Sequence, residues 1–241
     1  MDSIAYGINA VREYARSHRV IKVYCGERLL SHSLLFEMKK ENIPFEIVND
    51  ARLRQLSKTD HHQGIVAEVK PLTYTSLHSI LDKVKGKPRP LLLILDGIKD
   101  PHNFGAILRS CDAFSVDGVI IKKNNAVPLN ETVARVSTGA INYVDVALVP
   151  NLSSAIQDIK KAGFWVVSTD GSAKDTLGSI AYDFPTCLIV GSEGEGISRL
   201  VLANSDYLVK IPMTGHVNSL NASVSCGISL ALIREIQNKN I

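Results

Sequence analysis

Several common signatures are missing from this 241-residue chain. Its four cysteines (Cys25, Cys111, Cys187, Cys226) lie far apart and form no Cys-x-x-Cys pair. That excludes a zinc-ribbon pattern and a disulfide framework, and predicts scattered reduced thiols of an intracellular protein, with a cytoplasmic location. No apolar run approaches the roughly 18 residues of a membrane-spanning helix, so no membrane partner is expected. The opening residues, Met1-Asp-Ser-Ile-Ala-Tyr-Gly7, lack a basic start and an apolar core, so no secretory signal is expected. His61 and His62 are adjacent, while His102 and His216 stand alone. No pair has metal-ligand spacing, so no metal is expected. Low-complexity tracts and internal repeats are also lacking.

A strong net charge is missing too, since the sum is only +3. The distribution is uneven: residues 1–89 hold 15 Lys and Arg against 10 Asp and Glu, and residues 90–241 hold 12 against 14. A basic excess toward the N-terminus favours an anionic partner such as RNA, although a solvated surface gives the same pattern.

What is present reads as two textures. Gly7 to Arg19 carries apolar residues at helical spacing, and Val20–Tyr24, Phe45–Val48 and Gly64–Val69 read as strands. A helix over Leu29–Glu41 and a helical turn over Ala51–Leu56 complete a small α/β unit, residues 1–72. Residues 73–90 read as a linker with a short helix near Leu77–Val84, ending in Lys85-Gly-Lys-Pro-Arg-Pro90. Residues 91–241 then alternate continuous apolar runs with helical segments. The runs are Leu91–Leu95, Gly118–Ile121, Phe164–Ser168 and Cys187–Val190, and the helices Asn103–Phe114 and Ser153–Ala162 lie between them. Such alternation predicts an α/β domain with a parallel sheet.

Three clusters carry chemistry. In the first, a strand ends in Asp96-Gly97 and Asn103 is placed to cap a helix starting near Phe104, with Arg109 six residues on. An exposed helix start with an Asn, followed by an arginine fork, suits an anion, while a plain cap and a surface arginine fit the same residues. In the second, Leu188-Ile-Val-Gly-Ser-Glu-Gly-Glu-Gly-Ile-Ser198 puts a glycine-rich loop directly after a buried strand. It is no GxGxxG fingerprint, and Ile197 stands where a P-loop needs lysine, which argues against a nucleotide-hydrolysing α/β enzyme. Glu193 and Glu195 make it a poor phosphate cradle and suit a ligand with hydroxyl, amino or cationic groups. In the third, the strand Tyr207–Ile211 runs into a polar loop, and Ser219-Leu-Asn221 opens a helix over Ala222–Ile236. That helix is so smooth that burial on nearly every side is expected.

In this order the clusters resemble the SpoU/TrmH family of the SPOUT class, S-adenosylmethionine-dependent RNA ribose 2′-O-methyltransferases. The carrying residues are Asn103-Phe-Gly-Ala-Ile-Leu-Arg109, Ile189-Val-Gly-Ser-Glu-Gly-Glu-Gly196, and Ile211-Pro-Met213 through Ser219-Leu-Asn221. Tyr6-Gly-Ile-Asn-Ala-Val-Arg12 and His62-Gln-Gly-Ile-Val-Ala67 are similar to the N-terminal substrate-binding domain of the longer members, which methylate a guanosine in large-subunit ribosomal RNA. The resemblance implies a SPOUT domain with a trefoil knot behind a small N-terminal α/β substrate-binding domain, and a homodimer. It implies S-adenosylmethionine held around Gly191, Ile211, Leu220 and Ser219, with Thr169, Gly196 and Met213 beside it. It assigns Arg109, Asn103, Glu193, Ser219 and Asn221 to the reacting site, with Asn103 and Arg109 facing the RNA. Tyr6, Tyr14, Tyr24, Phe36 and Phe45 are assigned mostly to the core. Large-subunit ribosomal RNA is the favoured substrate. Transfer-RNA ribose methylation, and a non-catalytic RNA-binding or ribosome-assembly role, stand as alternatives.

Overall fold

The computed structural model describes residues 3–16 and 19–239. The chain divides into two compact units, Met1–Thr73 and Tyr74–Ile241.

In the first unit the order is β1 (Ser3–Tyr6), α1 (Ile8–Arg16), β2 (Val20–Cys25), α2 (Ser33–Lys40), β3 (Phe45–Ile47), α3 (Asp50–Ser57) and β4 (Ile65–Val69). The strands form one sheet in the order β1-β4-β2-β3. β4 pairs antiparallel with both β1 and β2, and β2 pairs parallel with β3. Val11, Leu34, Leu35 and Met38 of the helices pack on Val23, Ile65, Ala67 and Val69 of the sheet. The two N-terminal motifs meet here: Gly7 N–H donates to Ile65 O (3.1 Å), and Ile8 N–H donates to Gln63 Oε1 (3.0 Å), capping α1. His62 is buried and its Nδ1 accepts from Gly64 N–H (3.1 Å), fixing the tight turn before β4. The expected helix over Gly7–Arg19 is found as far as Arg16; residues 17 and 18 lie outside the described ones. The aromatic residues divide differently from expectation. Tyr24 is core, but Phe36 is 62% exposed and Tyr6 43%.

The second unit begins earlier than the sequence suggested. Residues 74–90 are no free linker, because α4 (Leu77–Val84) buries Ile80 and Val84 in the core of this unit. Thr75 Oγ1 and Lys83 Nζ both donate to Asp145, at 2.7 and 2.5 Å, strapping the segment down. The shift also moves charge. Residues 1–73 hold 11 Lys and Arg against 9 Asp and Glu, a net of +2, because Lys83, Lys85, Lys87 and Arg89 belong to the second unit. The basic excess read from the sequence is therefore only partly a property of the first unit.

The chain continues through β5 (Leu91–Asp96), α5 (Pro101–Ala113), β6 (Gly118–Lys122), α6 (Glu131–Val136), β7 (Val146–Val149), α7 (Leu152–Lys161), β8 (Trp165–Thr169) and β9 (Asp175–Thr176). It ends with β10 (Thr186–Gly191), α8 (Arg199–Leu202), β11 (Tyr207–Lys210) and α9 (Ala222–Lys239). These strands make one seven-stranded sheet, β7-β6-β5-β10-β8-β11-β9, with every pairing parallel. All five residues Leu91–Leu95 are buried, as expected of a strand covered on both faces. On one face α4, α7 and Val201 of α8 cover Leu92, Ile94, Ile120, Val166, Cys187 and Ile189. The helix α9 departs from expectation. Cys226, Leu230 and Ile233 are buried, but Val224 and Ile228, four residues apart on one stripe, stand 48% and 40% exposed. The four cysteines are free and buried, and burial pushes the thiols of Cys25, Cys111, Cys187 and Cys226 up.

Candidate active site

In a parallel sheet every strand delivers its C-terminal end to the same edge, and ligands gather where the strand order reverses. Here β5 runs on to β6 and β7 on one side, while β10 and β8 lie on the other. At that edge Asp96 ends β5, Gly191 ends β10, Thr169 ends β8 and Ile211 follows β11. The strands neighbour one another in that order, so four residues far apart in sequence share one rim.

The loop after β10 is tightly built. Ser192 and Gly196 exchange backbone hydrogen bonds, Ser192 N–H to Gly196 O at 3.2 Å and Gly196 N–H to Ser192 O at 3.0 Å. Gly194 and Gly196 have φ of +84° and +66°, which glycine adopts without strain. A Cβ on Gly191 would lie 2.2 Å from the Gly196 carbonyl carbon, so only glycine fits under this loop. Asp96 Oδ2 accepts from Ser198 N–H (2.8 Å) and closes the loop onto β5.

The result is to aim Glu193 at the starts of two helices. Its Oε1 accepts from Asn221 Nδ2 (2.5 Å), from the backbone N–H of Ala222 (3.1 Å) and from Asn103 Nδ2 (3.3 Å). Asn221 Nδ2 also donates to Asn103 Oδ1 (2.9 Å). Asn221 Oδ1 accepts from Ser223 N–H (2.9 Å) and Val224 N–H (3.3 Å), so it caps α9 as well. Asn103, Glu193 and Asn221, one from each motif, form a single hydrogen-bonded cluster. A carboxylate at helix N-termini is favoured by the orphan N–H groups and by the helix dipole.

Asn103 does not cap α5, contrary to expectation. Asp100 does, accepting from His102 N–H (2.9 Å), with Pro101 in the first helical turn. Asp-Pro is a known helix-start signature, and reading it would have placed the helix three residues earlier. With Asp100 capping the helix, the Asn103 side chain is free to join the cluster. Arg109 lies outside it. Six residues along an α-helix turn about 120° away from Asn103, and Arg109 is exposed without a hydrogen-bond or ion-pair partner among the described residues. Ser219 and Met213 are exposed, and Leu220 is half-buried, in the loop between β11 and α9. Thr169 Oγ1 donates to Ile189 O (3.1 Å), so that hydroxyl proton is already used between strands. Asp96 and Asp100 are the contributors that the sequence reading did not assign to the site, while the Ala222 N–H is one of the free helix-start groups that the third cluster offers.

The cluster lies within a stretch that matches a known family. The SpoU rRNA Methylase family matches residues 90–231, and the family of RNA 2′-O ribose methyltransferase substrate-binding domains matches residues 4–75. YacO of Bacillus subtilis (strain 168), assigned to the TrmH family of tRNA/rRNA methyltransferases, is 40% identical over 227 residues, covering 92% of this chain and 91% of its own. The chain belongs to the SpoU/TrmH family of RNA methyltransferases. Among solved structures, the SpoU methyltransferase AviRb from Streptomyces viridochromogenes, in complex with AdoMet, superposes with a TM-score of 0.73 at 22% identity, over 97% of this chain and 89% of its own. The A. aeolicus TrmH/SpoU tRNA modifying enzyme matches at 29% identity with a TM-score of 0.58, over 68% of this chain and 83% of its own.

The family's methyl donor, S-adenosylmethionine, has a cationic sulfonium, an ammonium and ribose hydroxyls. The residues here fit such a ligand. Glu193 binds the cluster through Oε1 alone, Glu195 in the same loop is exposed, and residues 212–219 after β11 are exposed. Among the described residues no group of His, Cys, Asp or Glu is placed to hold a metal ion.

Proposed function

We propose that this protein transfers a methyl group from S-adenosylmethionine to a ribose 2′-hydroxyl, that of a guanosine in large-subunit ribosomal RNA. The observation that carries the reading is the cluster Asn103–Glu193–Asn221, which joins three separate motifs at the ligand edge of the sheet. When bound, S-adenosylmethionine supplies an electrophilic methyl group. The backbone around Gly191, Ile211 and Leu220 would hold it, with Thr169, Gly196, Met213 and Ser219 lining its surroundings. Glu193 would balance its positive charge, and Asn221 would keep the loop before α9 in register with Glu193.

Arg109 is the group suited to the RNA side. A guanidinium stays protonated at neutral pH, so it is a poor base and a good clamp for a phosphate and a developing alkoxide. The 2′-hydroxyl proton then passes to that phosphate or to water. Asn103, on the same helix, would sit between the RNA and the cofactor side. A homodimer and a trefoil knot that threads the segment before α9 belong to the same reading. The exposed Val224–Ile228 stripe supports the dimer, because an uncovered apolar helix face marks a contact surface. The first unit supports a ribosomal substrate: it matches a substrate-binding family, and a large folded RNA needs recognition beyond the target nucleotide. A cytoplasmic location fits an RNA substrate and buried, reduced cysteines.

The test is methylation in vitro. Labelled S-adenosylmethionine is incubated with unmodified large-subunit ribosomal RNA and, separately, with unmodified transfer RNA, and 2′-O-methyl positions are mapped by mass spectrometry. One guanosine ribose methyl on the ribosomal RNA is expected. Label on transfer RNA alone overturns the substrate, and label on neither overturns the reaction on free RNA.

A further inference from the structure

The helices α5 and α9 start together at Glu193 and run side by side in the same direction. Asn103 meets Asn221 at the start. Midway, a Cβ on Gly227 would be 3.4 Å from Ser110 Oγ. At the far end Arg234 of α9 reaches past the last turn of α5. Its Nε donates to Phe114 O (2.8 Å) and its Nη2 to Ser115 O (2.5 Å). Its Nη1 donates to Arg89 O (3.2 Å) and Gln237 Oε1 (2.8 Å). Asp117 lies 3.7 Å from Nη2. The Arg89 guanidinium in turn donates to Gln237 O. Gln237 is 2% exposed; its Oε1 takes the Arg234 bond, while its Nε2 has no partner among the described residues.

We propose that Arg234 is a positioning residue for the site, setting the register between the α5 half, with Asn103 and Arg109, and the α9 half, with Asn221 and Ala222. The inference rests on the proposed function for what the site binds. The physical case is mechanical. Phe114 O, at the C-cap, lies at the negative end of the α5 dipole, and the guanidinium fork fixes it together with Ser115 O one residue beyond. A helix is stiff, so a shift at Arg234 is carried to Asn221, thirteen residues and roughly 20 Å away. Three of the four bonds that hold Glu193 and Asn103 come from Asn221 and Ala222, so α9 cannot slide without opening the cluster. A displacement of about 1 Å at a reacting site is enough to cost on the order of 100-fold in rate. Lysine at this position provides one point of charge without the fork and holds one carbonyl in place of several.

The experiment compares the full-length wild type with Arg234→Met, Arg234→Lys and a control, Val149→Ala. Val149 is buried on the opposite face of the sheet, away from α5 and α9, so the control loses stability without touching the clamp. Binding of S-adenosylmethionine is measured by calorimetry, at a temperature where all four are folded. Arg234→Met is expected to weaken binding at least fivefold, Arg234→Lys by an intermediate factor, and the control by less than twofold at a comparable melting temperature. Arg234→Lys keeps the test alive should Arg234→Met fail to fold. Equal affinity of wild type and Arg234→Lys, or a loss in Val149→Ala as large as that in the Arg234 variants, overturns the assignment. Absence of binding by the wild type itself identifies a failure of the proposed function instead, and the assignment falls with it.

Discussion

At Glu193 one carboxylate oxygen accepts from residues 90, 28 and 29 positions away in sequence. Replacing it with glutamine keeps an acceptor of the same size and removes the charge at two helix starts. The Glu193→Gln protein is expected to melt near the wild type and to transfer methyl groups at least about tenfold more slowly, on the scale of losing one preorganised electrostatic group. Single-turnover rates at saturating cofactor measure this, and a rate within twofold of wild type would remove the charge from the account. Arg109 is tested differently. Because it has no partner among the described residues, Arg109→Lys costs the fold nothing and changes only what an incoming ligand meets. Activity is expected to fall on the order of tenfold or more, since lysine lacks the planar fork. Near-normal turnover by Arg109→Lys would rule out arginine-specific chemistry.

Among the elements, the strap before β5 is the one whose strength depends on pH. Burial opposes ionisation of Asp145, but hydrogen bonds from Lys83 and Thr75 outweigh it and hold the carboxyl below its ordinary value. A depressed carboxyl stabilises the fold above its unfolded value and loses that contribution as pH falls through its folded value. Asp145→Asn is therefore expected to cost about 1 kcal/mol at neutral pH, already discounted for the partly exposed pair, or about 2–4 °C of melting temperature. The gap between the two proteins should close in acid below about pH 4, as wild-type Asp145 loses its charge. A gap unchanged at pH 3 would remove the ion pair from the explanation.

The strap also shows where the sequence could be read and where it could not. The long apolar runs of β5, β6, β8 and β10 and the helix Leu77–Val84 stand out because they repeat one pattern over enough residues. β1 and β7, four residues each, and the six-residue α6 are too short for a period to show. In residues 74–90, Lys, Gly and Pro mark a loop locally, while burial of Ile80 and Val84 depends on strands far along the chain. The motifs could be recognised one by one. Their meeting at Glu193 depends on β10 lying between β5 and β8, which no local signal encodes.

For the whole molecule, the division at Thr73 makes a sharp prediction about truncation. A fragment beginning at Tyr74 keeps α4 and is expected to fold, to bind S-adenosylmethionine and to leave ribosomal RNA unmodified. A fragment beginning at Gly86 loses Ile80 and Val84 from the core and is expected to melt at least several degrees lower. Calorimetric melting separates the two, and site-specific methylation by the Tyr74 fragment would refute a substrate role for the first unit. The exposed stripe on α9 gives a second test at this scale. Light scattering is expected to report twice the 26.3 kDa chain mass, and Ile228→Glu, which adds charge to an already exposed position, to halve it. A monomeric wild type would leave the stripe without the partner proposed for it.

The position of β10 also bears on how the chain leaves the ribosome. Of the seven strands of the second unit's sheet, synthesis delivers β5, β6 and β7 first, and these three can zip together as they emerge. The inner edge of β5, Leu91–Asp96, then stays bare until residues 186–191 have been made, about 90 codons later. At roughly 5–20 residues per second that is a delay of several seconds, with an apolar strand edge open to any passing chain. The strand order that builds the site thus gives the nascent protein an interval in which it depends on slow neighbours or a chaperone to stay unaggregated.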